Sequence, residues 1–128
     1  MKKSTLELMK EDELRSFASV VGADVESAEG RDDLISAILD RTNRTITVKA
    51  GGMKLDVKAS SVTDLRVVEL AGRADKGISE LTALSKVLLG ERQHARLIEH
   101  VTDDDGSVDG VLFAFIVGKV IEQVERKN

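Results

Sequence analysis

Between Thr45 and Lys58 the chain alternates strictly: Thr45-Ile-Thr-Val-Lys-Ala50, then Gly51-Gly52, then Met53-Lys-Leu-Asp-Val-Lys58. Alternation on both sides of a two-glycine break predicts a β-hairpin with a two-residue turn. That turn places Ala50 opposite Met53, Val48 opposite Leu55 and Ile46 opposite Val57, so one face is wholly apolar. Thr45, Thr47, Lys49, Lys54, Asp56 and Lys58 make the other face. A lone hairpin is marginal in water, so the apolar face must pack on helices.

Helical spacing dominates elsewhere. Leu6, Met9, Leu14, Phe17, Val20 and Val21 recur with a helical period between Thr5, a cap residue, and Gly22, a stop, which predicts one helix there. After a loop, Ala23–Gly30, a second helix starts near Arg31 and buries Leu34, Ile35, Ile38 and Leu39. Past the hairpin, Ser60-Ser61 can cap a helix through Val62, Leu65, Val68 and Leu70. Ser79 can cap another, Glu80–Leu89, ended by Gly90, and Glu91–Val101 forms a third that turns sharply against it.

The final segment, Ser107–Val124, is predicted to be a helix capped by Ser107, with Asp109 in its first turn and Lys119, Arg126 and Lys127 towards its end. Its apolar residues do not form a clean stripe. Val108, Leu112, Phe115 and Ile116 share one face, but Val111, Phe113, Val117 and Val120 carry the apolar surface around the cylinder. A helix apolar on most sides is deep in a core or covered by a partner. One domain this small does not readily bury a helix on every side, so part of this surface is expected to dock a partner. The candidates are Leu112, Phe115, Ile116 and Val120, with Phe113 and Val117 as alternates, each weighed against a plain core role.

Glu13-Leu14, Gly22 and Gly30-Arg31-Asp32-Asp33-Leu34-Ile35 give residues 1–43 the pattern of a small module of two helices and an extended loop. It resembles the SAP, LEM and helix-extended-loop-helix group. That resemblance implies DNA contacts by basic residues near the second helix. The charge argues against it: residues 1–44 hold seven basic side chains against ten acidic ones, a net of −3, and Asp32 and Asp33 flank Arg31. Without a basic surplus there is little counterion release to drive binding.

Composition narrows the remaining classes. A 128-residue chain with 41% hydrophobic residues suits one domain, or a domain with an appendage, and its net charge of −4 gives no general attraction to nucleic acid or anionic lipid. No apolar run approaches the roughly 18 residues of a membrane span, and no signal-peptide core follows Lys2-Lys3, so a cytosolic protein is expected. There is no cysteine, which excludes disulfides and thiolate metal sites. His94 and His100, six residues apart, fall on different helix faces and read as rim histidines, not a metal pair. Aligning Gly106 with the glycine of a calcium loop puts Val101 and Leu112 at ligand positions, so Asp103-Asp104-Asp105 is an acidic turn. The glycine pair lacks a phosphate-loop pattern, and no nucleophile motif occurs. No catalytic residue, metal or cofactor is expected.

From residue 45 to about 126 the order of elements is accompanied by three local patterns. These are Asp64-Leu65-Arg66 with Glu69, Leu88-Leu-Gly-Glu-Arg-Gln93, and the acidic Asp103–Gly106 turn before an apolar last helix. In this combination, with the hairpin, the Ala74–Gly77 connection and Leu97–His100, the chain resembles the tail assembly chaperones of long-tailed bacteriophages. The resemblance implies a non-enzymatic protein made in the host cytoplasm and absent from the mature virion. It further implies that the protein coats the helical, aggregation-prone tape measure protein and helps recruit tail tube subunits. Self-association is a further expectation, since a coat needs neighbours.

The expected architecture is therefore α+β and mostly α. A two-helix module (1–43) precedes a β-hairpin packed on about four helices (44–128). Two other functions stay open: a DNA-associated adaptor acting through residues 1–44, and a structural neck or connector part of a phage particle.

Overall fold

The computed structural model describes residues 1–127, Lys76 by its backbone; Asn128, the end of the second predicted domain, lies outside the described residues. The architecture is α+β and mostly α, with six α-helices and one two-stranded antiparallel sheet among the described residues. The chain divides into two compact units, Met1–Arg44 and Thr45–Asn128.

The first unit holds α1 (Lys3–Glu7), α2 (Glu11–Val21) and α3 (Arg31–Thr42). The single first helix expected from Thr5 to Gly22 is in fact two. The chain breaks at Leu8–Lys10 and restarts where the Lys10 amide donates to the Glu13 carboxylate at 3.2 Å. Glu11, Asp12 and Glu13 then sit in the first turn of α2, where the helix dipole favours them. Leu8 falls on the break and points to solvent, while Leu6, Leu14, Ala18, Leu34, Ile35 and Ile38 form the core. Two arginines brace this small core. Arg31 donates to the carbonyls of Glu7 (2.7 Å) and Met9, at the end of α1 and just past it, and Arg41 Nε donates to the Val21 carbonyl (3.2 Å) at the end of α2. Carbonyls at helix ends lack intrahelical donors, and a guanidinium supplies several.

The second unit begins with β1 (Thr45–Ala50) and β2 (Met53–Lys58), paired in the expected register, Ile46 with Val57, Val48 with Leu55 and Ala50 with Met53. All six of these side chains are buried. Gly51 and Gly52 have φ of 56° and 85°, the positive pair that a tight hairpin turn of matching twist requires. Gly51 is needed twice over, because a Cβ there would stand 2.5 Å from Ile116.

A short 3₁₀ turn, Ala59–Thr63, follows, then α4 (Leu65–Ala71). Asp64, not Ser60 or Ser61, caps α4: its carboxylate accepts from the Arg66 amide at 2.9 Å and from the Arg66 guanidinium at 2.8 Å. The Arg66 hydrogen bonds hold the Asp64 carboxyl below its ordinary pKa. The Asp64-Leu65-Arg66 pattern thus works as a helix cap.

Helix α5 (Ile78–His100) is two helical arms broken at Gly90, whose φ of 83° and ψ of 162° are not helical. His94 is buried here, contrary to its expected place on the rim. Its Nδ1 lies 2.8 Å from Ser85 Oγ, linking the two arms across the break, and its ring meets Phe113 edge-on with centroids 6.0 Å apart. Burial and the nearby Lys86 charge lower the His94 pKa, partly offset by Glu91. His100 stays exposed, 2.6 Å from the Gly51 carbonyl.

Helix α6 (Gly110–Lys127) starts later than expected. Ser107 bonds back to Asp105 through both its amide and its hydroxyl, and Val108 pairs with Thr102 in an isolated bridge. Asp109 caps the helix instead, accepting from the amides of Val111 and Leu112, each at 3.0 Å.

Two glutamines complete the hairpin. Gln93, from the second arm of α5, accepts from the Asp56 amide (2.8 Å) and donates to the Asp56 carbonyl (2.7 Å). Gln123, from α6, does the same to Lys49, at 3.3 and 2.6 Å. Each side-chain amide takes the place of a neighbouring strand's peptide group along one edge of the sheet. The Leu88–Gln93 pattern is accordingly two buried leucines, a break and an edge clamp.

Candidate functional site

Helix α6 has two apolar faces with different fates. Phe113, Ile116, Val117, Val120 and Val124 recur at i, i+3, i+4, i+7 and i+11, and all are buried against the hairpin and α5. This corrects the expected docking surface: Ile116 and Val120, with the alternates Phe113 and Val117, belong to the core. The physical reason is the length of the stripe. Only this face stays apolar through to Val124, so only this face can lie along the sheet for the whole helix.

Leu112 and Phe115 are on the outside, 38% and 54% exposed. Val111, absent from the expected candidates, is more exposed than either, at 83%. Ala114 and Gly118 extend this outer face, and Val108 and Ile78, both exposed, border it. Ile78, at the start of α5, comes within 3.7 Å of the position a Cβ would take on Gly110. Its exposed side chain therefore joins the patch from another element, a neighbour that helical spacing within α6 could not reveal. Val111 could have been found from sequence. The line Val111, Phe115, Lys119 turns polar after two turns, whereas the line through Phe113 and Val117 does not.

The first two turns of the outer face are thus apolar, and the later turns carry Lys119, Glu122, Glu125 and Arg126. Glu122 bridges to both Lys119 (3.4 Å) and Arg126 (2.6 Å). Lys119 also sits 5.6 Å from the centre of the Phe115 ring, marking the border between the halves. At the other end Asp103, Asp104, Asp105 and Asp109 make the rim acidic. Hydrogen bonds from Ser107 hold the Asp105 carboxyl below its ordinary pKa.

The arrangement is an exposed apolar surface framed by charged side chains. Among the described residues no group of three or more His, Cys, Asp or Glu could hold a metal ion, and no helix is long and apolar enough to cross a membrane. No family model, curated protein or solved structure matches the chain.

Proposed function

We propose that this protein is a tail assembly chaperone of a long-tailed bacteriophage, which holds the tape measure protein soluble through the outer face of α6 and helps recruit tail tube subunits. The observation that carries the proposal is the unpartnered apolar surface of Val111, Leu112 and Phe115 on an acidic chain. A surface of that kind suits reversible capture of another amphipathic helix. The sequence resemblance over residues 45–126 adds the identity of the partner. In this role the protein works in the host cytoplasm and leaves before the virion is complete. The DNA-adaptor alternative is disfavoured by the first unit, where Arg31 and Arg41 direct their guanidinium groups at backbone carbonyls.

Co-expression with the phage's tape measure protein tests the proposal. The expected result is that the partner moves from the pellet to the soluble fraction and co-purifies. Phe115→Asp should abolish this while costing no more than about 0.5 kcal/mol of stability, as an exposed substitution. Phe113→Ala, on the inner face, should cost about 3–5 kcal/mol. A partner left in the pellet beside soluble wild-type protein would overturn the proposal. Presence of the protein in mature particles would turn it towards the connector role.

A further inference from the structure

Every side chain on the outer face of the hairpin is exposed, and that face is basic on a chain whose net charge is −4. The register sets Lys49 directly opposite Lys54, Thr47 opposite Asp56 and Thr45 opposite Lys58. Like charges opposed across two strands repel and lower stability. Solubility does not account for these lysines, because cations on an acidic chain reduce its net charge. None of Lys49, Lys54 and Lys58 makes an ion pair among the described residues. The one carboxylate on the face, Asp56, accepts from the Thr47 hydroxyl at 2.7 Å.

Helix α5 extends the basic surface. Gln93 reaches the hairpin at Asp56 and His100 reaches it at Gly51. Arg96 stands three residues after the first and four before the second, so it shares their side of the helix. It is exposed and also makes no ion pair among the described residues. At the other edge Lys127 brings its ammonium to the Thr47 carbonyl. Acidic groups border this zone. Glu122 is held between Lys119 and Arg126, and Asp103–Asp105 follow His100 in the chain. Within the border, Lys54 and Lys58 are about 14 Å apart along the strand.

The size and contents of the zone select its ligand. Gln93, Gln123 and Lys127 already bond the strand edges, so a partner must meet side chains on the face and not the backbone. The face has no aromatic ring on which a base could stack. A long polyphosphate would also run out over the acidic border. A short run of carboxylates fits inside it. We infer that the outer face of the hairpin docks a short acidic segment of a partner protein, with its carboxylates on Lys49, Lys54, Lys58 and Arg96. This goes beyond the chaperone proposal, because the surface is on the hairpin instead of α6 and its chemistry is ionic instead of apolar.

The test is fluorescence anisotropy of fluorescein-labelled octaglutamate with the purified full chain, at about 20 mM salt, where exposed charges are little screened. Binding is expected, and raising the salt to about 0.5 M should weaken it about tenfold or more. Lys49→Gln combined with Lys54→Gln should weaken binding about fivefold or more, while the thermal midpoint holds or rises because the opposed charges are gone. Lys2→Gln combined with Lys3→Gln changes the net charge equally and should leave binding unchanged. Absence of binding at low salt would overturn the inference. An equal loss in the Lys2 and Lys3 variant would do the same, reducing the effect to net charge. Tighter binding of octadeoxythymidylate than of octaglutamate would assign the face to nucleic acid and overturn the acidic-segment reading. No tape measure protein is present in this experiment, so its result is separate from that of the capture experiment.

Discussion

The two units meet the same difficulty with different side chains. Each has backbone groups at element ends or edges that its own secondary structure leaves without partners. The first unit uses arginine: Arg31 on Glu7 and Met9, Arg41 on Val21, all carbonyls at or just beyond helix ends. The second uses glutamine: Gln93 on Asp56 and Gln123 on Lys49, each bonding both the amide and the carbonyl of one residue. The difference follows from what each site presents. The C-terminal end of a helix offers acceptors only, and a guanidinium has donors only. A strand edge offers a donor and an acceptor side by side, and only a carboxamide matches both. Core size sharpens the contrast. Among the described residues the first unit buries six apolar side chains and the second eighteen, so the first depends more on its braces.

The largest effect expected from breaking this contrast is at Arg31. Arg31→Met keeps an apolar stem but removes both bonds, and should lower the stability of the first unit by about 2–3 kcal/mol. Arg31→Lys should rescue little, because one ammonium cannot reproduce the two-pronged geometry. Denaturant unfolding followed by NMR signals assigned to each unit would show whether the loss is confined to the first.

Smaller effects are expected at the glutamines. Gln93→Ala and Gln123→Ala should each cost about 1 kcal/mol, and Gln93→Glu more than Gln93→Ala, because a carboxylate would then face the Asp56 carbonyl. Hydrogen exchange at the Asp56 and Lys49 amides reads each clamp separately. Equal tolerance of glutamate and alanine would show that the donor half of the clamp is dispensable.

The smallest effect is a pH dependence at His94. A buried histidine whose pKa is lowered contributes stability that is fully present above the unfolded value of about 6.5. That contribution is lost as pH falls from there through the lower folded pKa, because the unfolded chain takes up the proton first. The thermal midpoint of the second unit should therefore drop below about pH 6.5. His94→Gln should flatten that drop even if it lowers the midpoint at pH 7.

The hairpin was legible to the residue, because a period of two and a glycine pair leave only one register that buries Ile46, Val48, Leu55 and Val57 together. The helix ends were less so. The break at Leu8–Lys10 carries no glycine or proline, and it forms because Glu13 can reach the Lys10 amide and Arg31 can brace the carbonyls from 22 and 24 residues away. Ser107 and Asp109 are both good cap residues, and a tertiary contact, the Thr102–Val108 bridge, decides between them. His94 resembled a surface histidine until the fold brought Ser85 to it. The candidate docking residues divided because a helix apolar on most sides does not reveal, within its first two turns, which side the sheet will take.

The glutamine clamps also limit what the molecule can become. A two-stranded sheet with free rails is a seed, because any extended chain can add to either side and the product has a new free rail. Here Gln93 blocks one rail midway at Asp56, while Gln123 and Lys127, which donates to the Thr47 carbonyl at 2.8 Å, block the other. An extended segment approaching either strand would have to displace one of these side chains before its own backbone could pair, so the hairpin is a poor template for a growing sheet.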